Sequence, residues 1–361
     1  MFVWYIGKQN TKRRVGLVSS ASERQSAAEH MRRHNNLFNQ ITSMDNLWTA
    51  YRKARKGKTS KSAVRRFDVE PEKRLTKIRT VLVSGGFNTS RYETKWVFEP
   101  KQRLIYVLPF NPDRIVQHAI MNVIEPIWDS MLISDSYACR SGKGIHAGSR
   151  RVMEFVRRYK YCLKCDISKF YPSVDHDILF DIIQRKVKCR RTLELLRNII
   201  YSIGGGKNVP IGNYTSQWFG NLYLNELDQY LKHKYRIKPY VRYCDDFVLF
   251  SDDKPFLNNM AHVIKNYVWD KLKLTLSKCD LFPVTQGVDF LGYRHFRNYL
   301  LLRKSTAQRI KRRLRLLPLL RERGKISLDS YRSSLASSMG WLKWCNSHNL
   351  ALKLRIEELA A

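Results

Sequence analysis

The sequence is poor in acidic residues: 31 Asp and Glu stand against 66 Lys and Arg, so the formal net charge is +35 over 361 residues. Solubility needs a net charge of only about 2–8. So large an excess indicates a polyanionic partner, above all nucleic acid. The chain also lacks any apolar run of the ~20 residues that a membrane-spanning helix requires. Residues 1–6 are too short for a signal-peptide core and have no basic leader, so we expect a cytoplasmic protein.

Cysteine is scarce and unpatterned. All seven cysteines follow position 138, and their odd number disfavours a disulfide framework and favours a reducing compartment. Cys162 and Cys165 have the spacing of half a zinc or redox motif, but no second pair follows, so we expect both to pack in the core. The sequence has no internal repeats, low-complexity tracts or long Pro- or Ser-rich linkers. We therefore expect its domains to pack against one another rather than to be joined by flexible linkers.

Two adjacent carboxylates are the most informative local feature. Asp245 and Asp246 close a Tyr-Cys-Asp-Asp run at 243–246, between apolar runs at 240–242 and 247–250. The pattern predicts a β-hairpin with both carboxylates at its tip. Burying an unpaired carboxylate costs on the order of several kcal/mol, so the pair must be solvated or neutralised by a cation. A plain polar turn is the alternative, because Asp is common in turns.

A third carboxylate, Asp166, ends a predicted strand that begins at residue 163. Three carboxylates offer the oxygen ligands that suit Mg²⁺, and Mn²⁺ accepts the same set. Two such ions about 3.5–4 Å apart can activate an attacking hydroxyl and stabilise a leaving pyrophosphate. Asp166, Asp245 and Asp246 are therefore our candidate catalytic and metal-binding residues.

Apolar periodicity predicts the other elements. Helices are predicted over 37–51, 113–128, 147–159, 176–201, 215–232 and 256–270, and through most of 303–361. Strands are predicted within 92–108 (a pair around Pro100), 239–251 and 288–302. The basic run 52–58 fits a solvated face or a phosphate contact equally well. We interpret Trp341 and Trp344 as residues that pack in the core of the helical tail rather than as residues that stack on bases.

Several blocks, in chain order, resemble the reverse transcriptase family. They comprise the strand pair that carries Arg103, the Arg-x-Gly-x-x-x-His run within 137–147, the run 166–175, the Tyr-Cys-Asp-Asp box at 243–246 and the Phe-Leu-Gly-Tyr run at 290–293. The resemblance covers about residues 37–350. It implies an α+β right-hand polymerase fold with fingers, an antiparallel-sheet palm and a helical thumb.

The resemblance also implies a division of the chain. The expected parts are an N-terminal basic arm (1–35), fingers (36–135), palm (136–185), a fingers/palm insertion (186–218), palm with the catalytic hairpin and primer grip (219–302) and a helical thumb (303–361).

Residue roles follow from the same resemblance. Asp166 and Asp245 would bind both metals, Asp246 would complete the cluster, and the carbonyl of Ile167 could be a further ligand. Tyr171 would reject a 2′-hydroxyl, unless it only packs beside Phe170. The expected nucleotide contacts are Lys101, Arg103, Ile167, Phe170, Tyr171, Ile211 and Gln217. The expected nucleic-acid contacts are Arg140, Tyr243, Leu291, Gly292, Arg312 and Arg313.

The run 211–217 departs from the family pattern, which reads Gln-Gly-x-x-x-Ser-Pro in many members. Here Ile211 replaces the Gln and Gln217 replaces the Pro. An apolar side chain removes hydrogen bonds that help to position the nucleotide, so we predict relaxed or unusual nucleotide selection.

Two bacterial groups fit this variant: defence-associated reverse transcriptases of type 2, which we favour, and the error-prone enzymes of diversity-generating retroelements. We expect a group II intron enzyme less, because we see no room for a maturase helical domain plus an endonuclease. We expect a structured noncoding RNA as template and scaffold, dNTPs as substrates and cDNA as product, with RNA held by the basic segments 52–66 and 303–325. Whether the chain also binds a protein partner is left open. A catalytically silent RNA-binding scaffold and template-free nucleotide addition are the alternatives.

Overall fold

The structure is a computed structural model that describes residues 33–98 and 102–354. Its α-helices are α1 (Leu37–Ile41), α2 (Met44–Arg55), α3 (Ser62–Asp68), α4 (Pro71–Val83), α5 (Ile115–Met131), α6 (Ile145–Arg158), α7 (Phe170–Ser173), α8 (His176–Gln184), α9 (Arg190–Ile200), α10 (Tyr214–Gln229), α11 (Lys254–Leu272), α12 (Lys304–Glu322), α13 (Leu328–Leu342) and α14 (His348–Lys353). Its strands are β1 (Glu93–Val97), β2 (Arg103–Val107), β3 (Tyr161–Ile167), β4 (Tyr240–Tyr243), β5 (Asp246–Ser251), β6 (Leu276–Pro283), β7 (Val288–Phe290), β8 (Tyr293–His295) and β9 (Leu300–Leu302).

An antiparallel sheet in the order β4-β5-β3-β6 forms the centre of the fold. Side chains alternate between its two faces because a strand repeats every two residues. On one face, Leu163 and Cys165 of β3 lie in the larger core, on the side that α11 covers. On the other face, Cys162 and Val248 pack against α6. This second face also carries the charged end of β3.

Two smaller sheets and a helical tail complete the architecture. β1 and β2 form an antiparallel hairpin in which Val97 pairs with Arg103. β7, β8 and β9 form a three-stranded sheet. The C-terminal helices α12 and α13 bury their own apolar cluster, which includes Ile310, Leu314 and Leu335. The predicted α+β class and the helical tail are confirmed.

Several predicted element boundaries are corrected. The helix predicted over 37–51 is two helices, because Ser43 begins α2 by accepting a hydrogen bond from the backbone N–H of Asn46. The helix predicted over 176–201 is divided into α8 and α9. Helices α3 and α4 and strand β6 were not predicted.

Other sequence expectations can be placed as well. Cys162 and Cys165 are fully buried, as expected for core residues. The predicted arm lies outside the described residues except for 33–35, where His34 pairs with Val187. In the described ranges, none of the helices combines the length and apolar character needed to cross a membrane.

Candidate active site

The three predicted carboxylates lie at one end of the central sheet. Asp166, near the end of β3, is the direct cross-strand partner of Asp246, the first residue of β5. Asp245 and Cys244 form the two-residue loop between β4 and β5, with Cys244 in the left-handed region at φ 54°. The carbonyl of Asp245 accepts a hydrogen bond from the N–H of Ile167 at 3.3 Å. Strand register and a tight turn thus gather residues that are 79 positions apart in the printed sequence.

Asp246 has a strongly perturbed carboxyl group. Its side chain is 28% exposed, yet its Oδ1 atom is buried without a hydrogen-bond partner in the described structure. Burial raises the pKa of Asp246 to about 7; the nearby charges of Asp166 and Asp245 add to the rise, and Lys164 opposes it. The Lys164 ammonium lies 3.8 Å from Asp246 Oδ2. A carboxylate in this state is stabilised by an added cation.

Asp166 is held in place by β6. The hydroxyl of Ser277 donates to Asp166 Oδ2 at 2.6 Å and lies 3.1 Å from the carbonyl oxygen of the same residue. The pairing between β3 and β6 shifts register directly after Asp166. Ser277 was not predicted, because β6 itself was not recognised in the sequence.

Oxygen-ligated divalent cations fit this donor set. Among residues 33–98 and 102–354, no group of three or more His, Cys, Asp or Glu side chains is arranged to enclose a metal ion. Mg²⁺ does not need such a cage, since it is commonly held by one or two carboxylates while water and substrate phosphates supply the other oxygens. The unpartnered Oδ1 of Asp246 and the mutual repulsion of the three carboxylates fit an ion that arrives with its nucleotide.

A buried ion pair supports the turn from the opposite face of the sheet. Arg242 and Asp228 have fully buried side chains, and Arg242 Nη2 lies 2.6 Å from Asp228 Oδ2. Arg242 Nη1 also donates to the carbonyl of Cys244 at 3.1 Å and to Asn221 Oδ1 at 3.2 Å. The tyrosine hydroxyl of Tyr240 donates to Asp228 at 2.6 Å. The sequence contained a signal for this network that we did not use: a charged residue inside an apolar strand.

The Tyr171 phenol lies within electrostatic reach of both Asp245 and Arg103. Burial raises the pKa of the Tyr171 phenol; the charges of Cys244 and Asp245 add to this rise, and the charge of Arg103 opposes it. A Cβ atom on Gly220 would lie 3.3 Å from the ring of Tyr171. Arg103 and the Cys244–Asp245 turn therefore both act electrostatically on Tyr171. Lys101 lies outside the described residues.

Two predicted contacts, Phe170 and Leu291, do not fit the structure as side-chain contacts. Phe170 is 3% exposed and belongs to the core, where its ring would meet a Cβ on Gly220 at 2.9 Å. Leu291 is 8% exposed and packs close to Gly148. Both side chains are apolar and lack accessible surface, so they serve packing rather than substrate binding.

Arg140 is also corrected. Its side chain is 8% exposed, and its Nε atom lies 2.6 Å from Asp129 Oδ1. Its Nη1 atom donates to the carbonyls of Ile133 at 2.7 Å and Ser136 at 3.0 Å. Because its donors are used inside the protein, Arg140 holds the loop before α6 rather than nucleic acid.

The remaining predicted residues have accessible positions. Ile211 is partly buried in residues 201–213, which we call the α9–α10 loop. Gln217 is exposed on α10, and Tyr243 is half-buried beside the turn. The backbone of Gly292 turns at φ 85° against Trp341. Arg312 and Arg313 are exposed on α12. The binding roles of these residues stay predictions.

Comparison with known proteins decides the family. The family model described as reverse transcriptase (RNA-dependent DNA polymerase) matches residues 98–295, which contain all three carboxylates. The chain belongs to the reverse transcriptase family. The predicted right-hand polymerase fold is confirmed as its fold class. In keeping with the predicted domain division, we call the central sheet of strands β4, β5, β3 and β6 the palm sheet.

Similar proteins include bacterial and fungal ones. This reverse transcriptase is 27% identical over 239 residues to Protein YkfC of Escherichia coli (strain K12), covering 53% of this chain and 62% of that protein. It is 21% identical over 297 residues to the group II intron-encoded protein LtrA of Lactococcus lactis subsp. cremoris, covering 62% of this chain and 49% of that protein. The chain thus spans about half to three fifths of these relatives. A structure of apo telomerase from Candida tropicalis overlaps 61% of this chain and 49% of that chain, with 11% identity and a TM-score of 0.43.

Proposed function

We propose that this reverse transcriptase is an active RNA-directed DNA polymerase that copies RNA into cDNA from dNTPs. The observation that carries the proposal is the placement of Asp166, Asp245 and Asp246 at one end of the palm sheet, with the Asp246 Oδ1 atom unpartnered in the described structure. The net charge of +35 supports a nucleic-acid substrate.

In this proposal the carboxylates divide their work. Asp166 and Asp245 would hold two divalent ions, Asp246 would complete the cluster from a looser position, and the carbonyl of Ile167 would be a further ligand. Bound there, Mg²⁺ or Mn²⁺ would supply activation of the primer 3′-hydroxyl and stabilisation of the leaving pyrophosphate. Ser277 fixes the orientation of Asp166, since its hydroxyl lies 2.6 Å from Asp166 Oδ2.

The nucleotide is held on the other side by the fingers. Arg103 binds the triphosphate in a bidentate manner, and Lys101 adds a second positive charge. Tyr171 lies under the sugar and excludes a 2′-hydroxyl. Ile211 and Gln217 shape the site around the sugar and base. The apolar Ile211 makes fewer polar contacts, and selection among nucleotides is therefore relaxed.

The other parts of the chain hold nucleic acid. In our proposal the fingers comprise residues 36–135 and 186–218, the palm residues 136–185 and 219–302, and the thumb residues 303–361. Tyr243 and the backbone at Gly292 contact the primer end, and Arg312 and Arg313 contact phosphates of the duplex. The basic segments 52–66 and 303–325 hold a structured noncoding RNA through its phosphates and 2′-hydroxyls.

The biological role depends on which RNA is copied. We propose synthesis of cDNA from a noncoding RNA in anti-phage defence, as the type 2 resemblance implies. Error-prone copying in a diversity-generating retroelement is the alternative, which the Ser-Gln ending of the 211–217 run supports. A protein partner would be compatible with either programme.

Sequencing of the cDNA made on RNA that copurifies with the protein tests the proposal. We expect products that are complementary to one RNA and that require a divalent ion. Products that ignore the RNA sequence would favour template-free addition. RNA without any product, under conditions that support wild-type phage resistance, would favour a silent scaffold. Frequent errors at one template base would favour diversification over defence.

A further inference from the structure

The α9–α10 loop, which carries Ile211, is fastened to the β1–β2 hairpin at three points. The backbone N–H of Tyr106 donates to the carbonyl of Ile211 at 2.8 Å. Asn208 Nδ2 donates to the hydroxyl of Tyr106 at 2.9 Å. Asn213 Nδ2 donates to the hydroxyl of Tyr92 at 2.8 Å. Two amide side chains of the loop therefore bind Tyr106 of β2 and Tyr92, the residue directly before β1.

The hydroxyl of Tyr92 is oriented by a chain of hydrogen bonds. Ser202 Oγ donates to the carbonyl of Ile199 at 2.6 Å. The hydroxyl proton of Ser202 is used in that bond. The Tyr92 hydroxyl, 2.8 Å from Ser202 Oγ, therefore donates to Ser202 and accepts a hydrogen bond from Asn213. The rings of Tyr92 and Tyr106 meet edge to face, with centroids 5.7 Å apart and an interplanar angle of 84°. The two tyrosines thus form one clamp, which we call the tyrosine clamp.

The backbone at Gly212 makes the contact close. Its φ is 125°, and a Cβ atom at this position would lie 2.2 Å from the carbonyl oxygen of Tyr106. Only glycine combines this backbone conformation with such an approach. Gly212, the loop residue next to Ile211, therefore lies directly against β2, the strand that begins with Arg103.

The same loop is tied to the segment that carries Tyr171. The N–H of Val209 donates to the carbonyl of Tyr171 at 2.9 Å, and the N–H of Asn208 donates to the carbonyl of Val174 at 3.0 Å. The loop thus connects the Arg103 hairpin with the Tyr171 segment. Three groups that we assign to the nucleotide belong to one hydrogen-bonded unit.

We propose that Tyr92 and Tyr106 are positioning residues that set nucleotide selection in this reverse transcriptase. They act through the loop, by fixing the position of Ile211 relative to Arg103 and Tyr171. Each hydroxyl accepts a hydrogen bond from an asparagine side chain of the loop, so we assign both to positioning the loop. The inference rests on the proposed function, since selection has meaning only for a polymerase.

Single-nucleotide insertion on a defined RNA template tests the tyrosine clamp. Tyr106→Phe and Tyr92→Phe each remove one hydroxyl and keep the ring. Loss of one such hydrogen bond corresponds to a change of about two- to tenfold. We expect KM for the correct dNTP to rise by about that factor, the ratio of wrong to correct insertion to shift, and kcat to change less than KM.

Tyr201→Phe is the matched control, since Tyr201 lies in the same loop but its hydroxyl bonds Asp177 at 2.5 Å, outside the clamp. It should leave KM and the misincorporation spectrum at wild-type values. In a double-mutant cycle, Asn208→Ala combined with Tyr106→Phe should add little to either change alone, because both remove the same hydrogen bond.

The outcomes separate the two proposals. If wild type extends the primer and both clamp variants match Tyr201→Phe in KM and in misincorporation, the clamp has no part in selection, even where the melting temperature falls. If the wild-type chain adds no nucleotide with Mg²⁺ or Mn²⁺, the proposed function itself is overturned.

Discussion

Arg242 and Asp228 form a fully buried, bidentate ion pair beneath the Cys244–Asp245 turn, with Arg242 Nε 2.8 Å from Asp228 Oδ1 and Nη2 2.6 Å from Asp228 Oδ2. Arg242 reaches the turn through the carbonyl of Cys244 at 3.1 Å. A buried pair of this kind contributes little net stability over an apolar packing, but removing one partner leaves an uncompensated charge. The pair therefore makes the position of Asp245 depend on residues of the opposite face.

Arg242→Met should destabilise the chain by about 3–5 kcal/mol, because it strands the Asp228 carboxylate in the core. Urea denaturation measures this loss. Arg190→Met is the matched control: Arg190 and Glu194 form an exposed pair, with side chains 91% and 61% exposed, whose loss costs about 0.3–0.5 kcal/mol. Equal and small losses for both variants would contradict the account.

Much of the site could be predicted from local sequence. Alternation of apolar residues located the β4–β5 hairpin and β3, and the adjacency of Asp166 and Asp246 follows from pairing these strands. Arg242 could not be placed from the same pattern, since its partner Asp228 lies on a helix and the contact depends on tertiary packing. Arg140 was misassigned for a similar reason: a basic residue in a Gly-bearing loop is read as exposed until the buried acceptors around it are known.

Asp246 should make the stability of the metal-free chain depend on pH. Its pKa is raised from 3.8 to about 7 on folding, so between these values the folded chain holds a proton that the unfolded chain releases. Stability from this group is therefore greatest at low pH and falls as pH rises towards 7. Asp246→Asn removes the ionisation and should be more stable than wild type by about 2–4 kcal/mol at pH 8.

Urea denaturation in EDTA at pH 4, 6 and 8 measures this effect. The advantage of Asp246→Asn should vanish at pH 4, where both side chains are uncharged in the folded state. Asp270→Asn changes an exposed carboxylate on α11 and serves as the control. An advantage that is independent of pH would show that repacking, not ionisation, separates the variants.

Gly212→Ala should disrupt the contact between the α9–α10 loop and β2. Its Cβ would lie 2.2 Å from the Tyr106 carbonyl oxygen at a φ of 125°, so strain and collision act together. We expect a loss of about 2–4 kcal/mol in thermal or urea denaturation. Gly205→Ala shares a positive φ, 92°, but would meet no atom within 4 Å. It should cost about 1 kcal/mol, and an equal loss for both variants would exclude the close contact as the cause.

Arg313→Gln should weaken binding of an RNA–DNA hybrid and lower its dependence on salt. Each neutralised phosphate adds about 0.9 to the slope of log affinity against log salt, so the slope should fall by about one. Fluorescence anisotropy between low and physiological salt measures it. Lys265→Gln changes an exposed basic residue on α11, which covers the opposite face of the palm sheet. If only Lys265→Gln changed the salt slope, the duplex would bind the face of the sheet that α11 covers, and the proposed role of Arg313 would be contradicted.

The most direct measurement is template-directed dNTP incorporation by a chain that carries Asp245→Ala and Asp246→Ala, with hybrid binding measured on the same preparation. The account predicts that incorporation falls to background while binding stays within a few-fold of wild type, because the two residues hold the ions and not the duplex. Incorporation that persists in this variant at a rate near that of wild type would contradict the assignment of the palm carboxylates as the catalytic site.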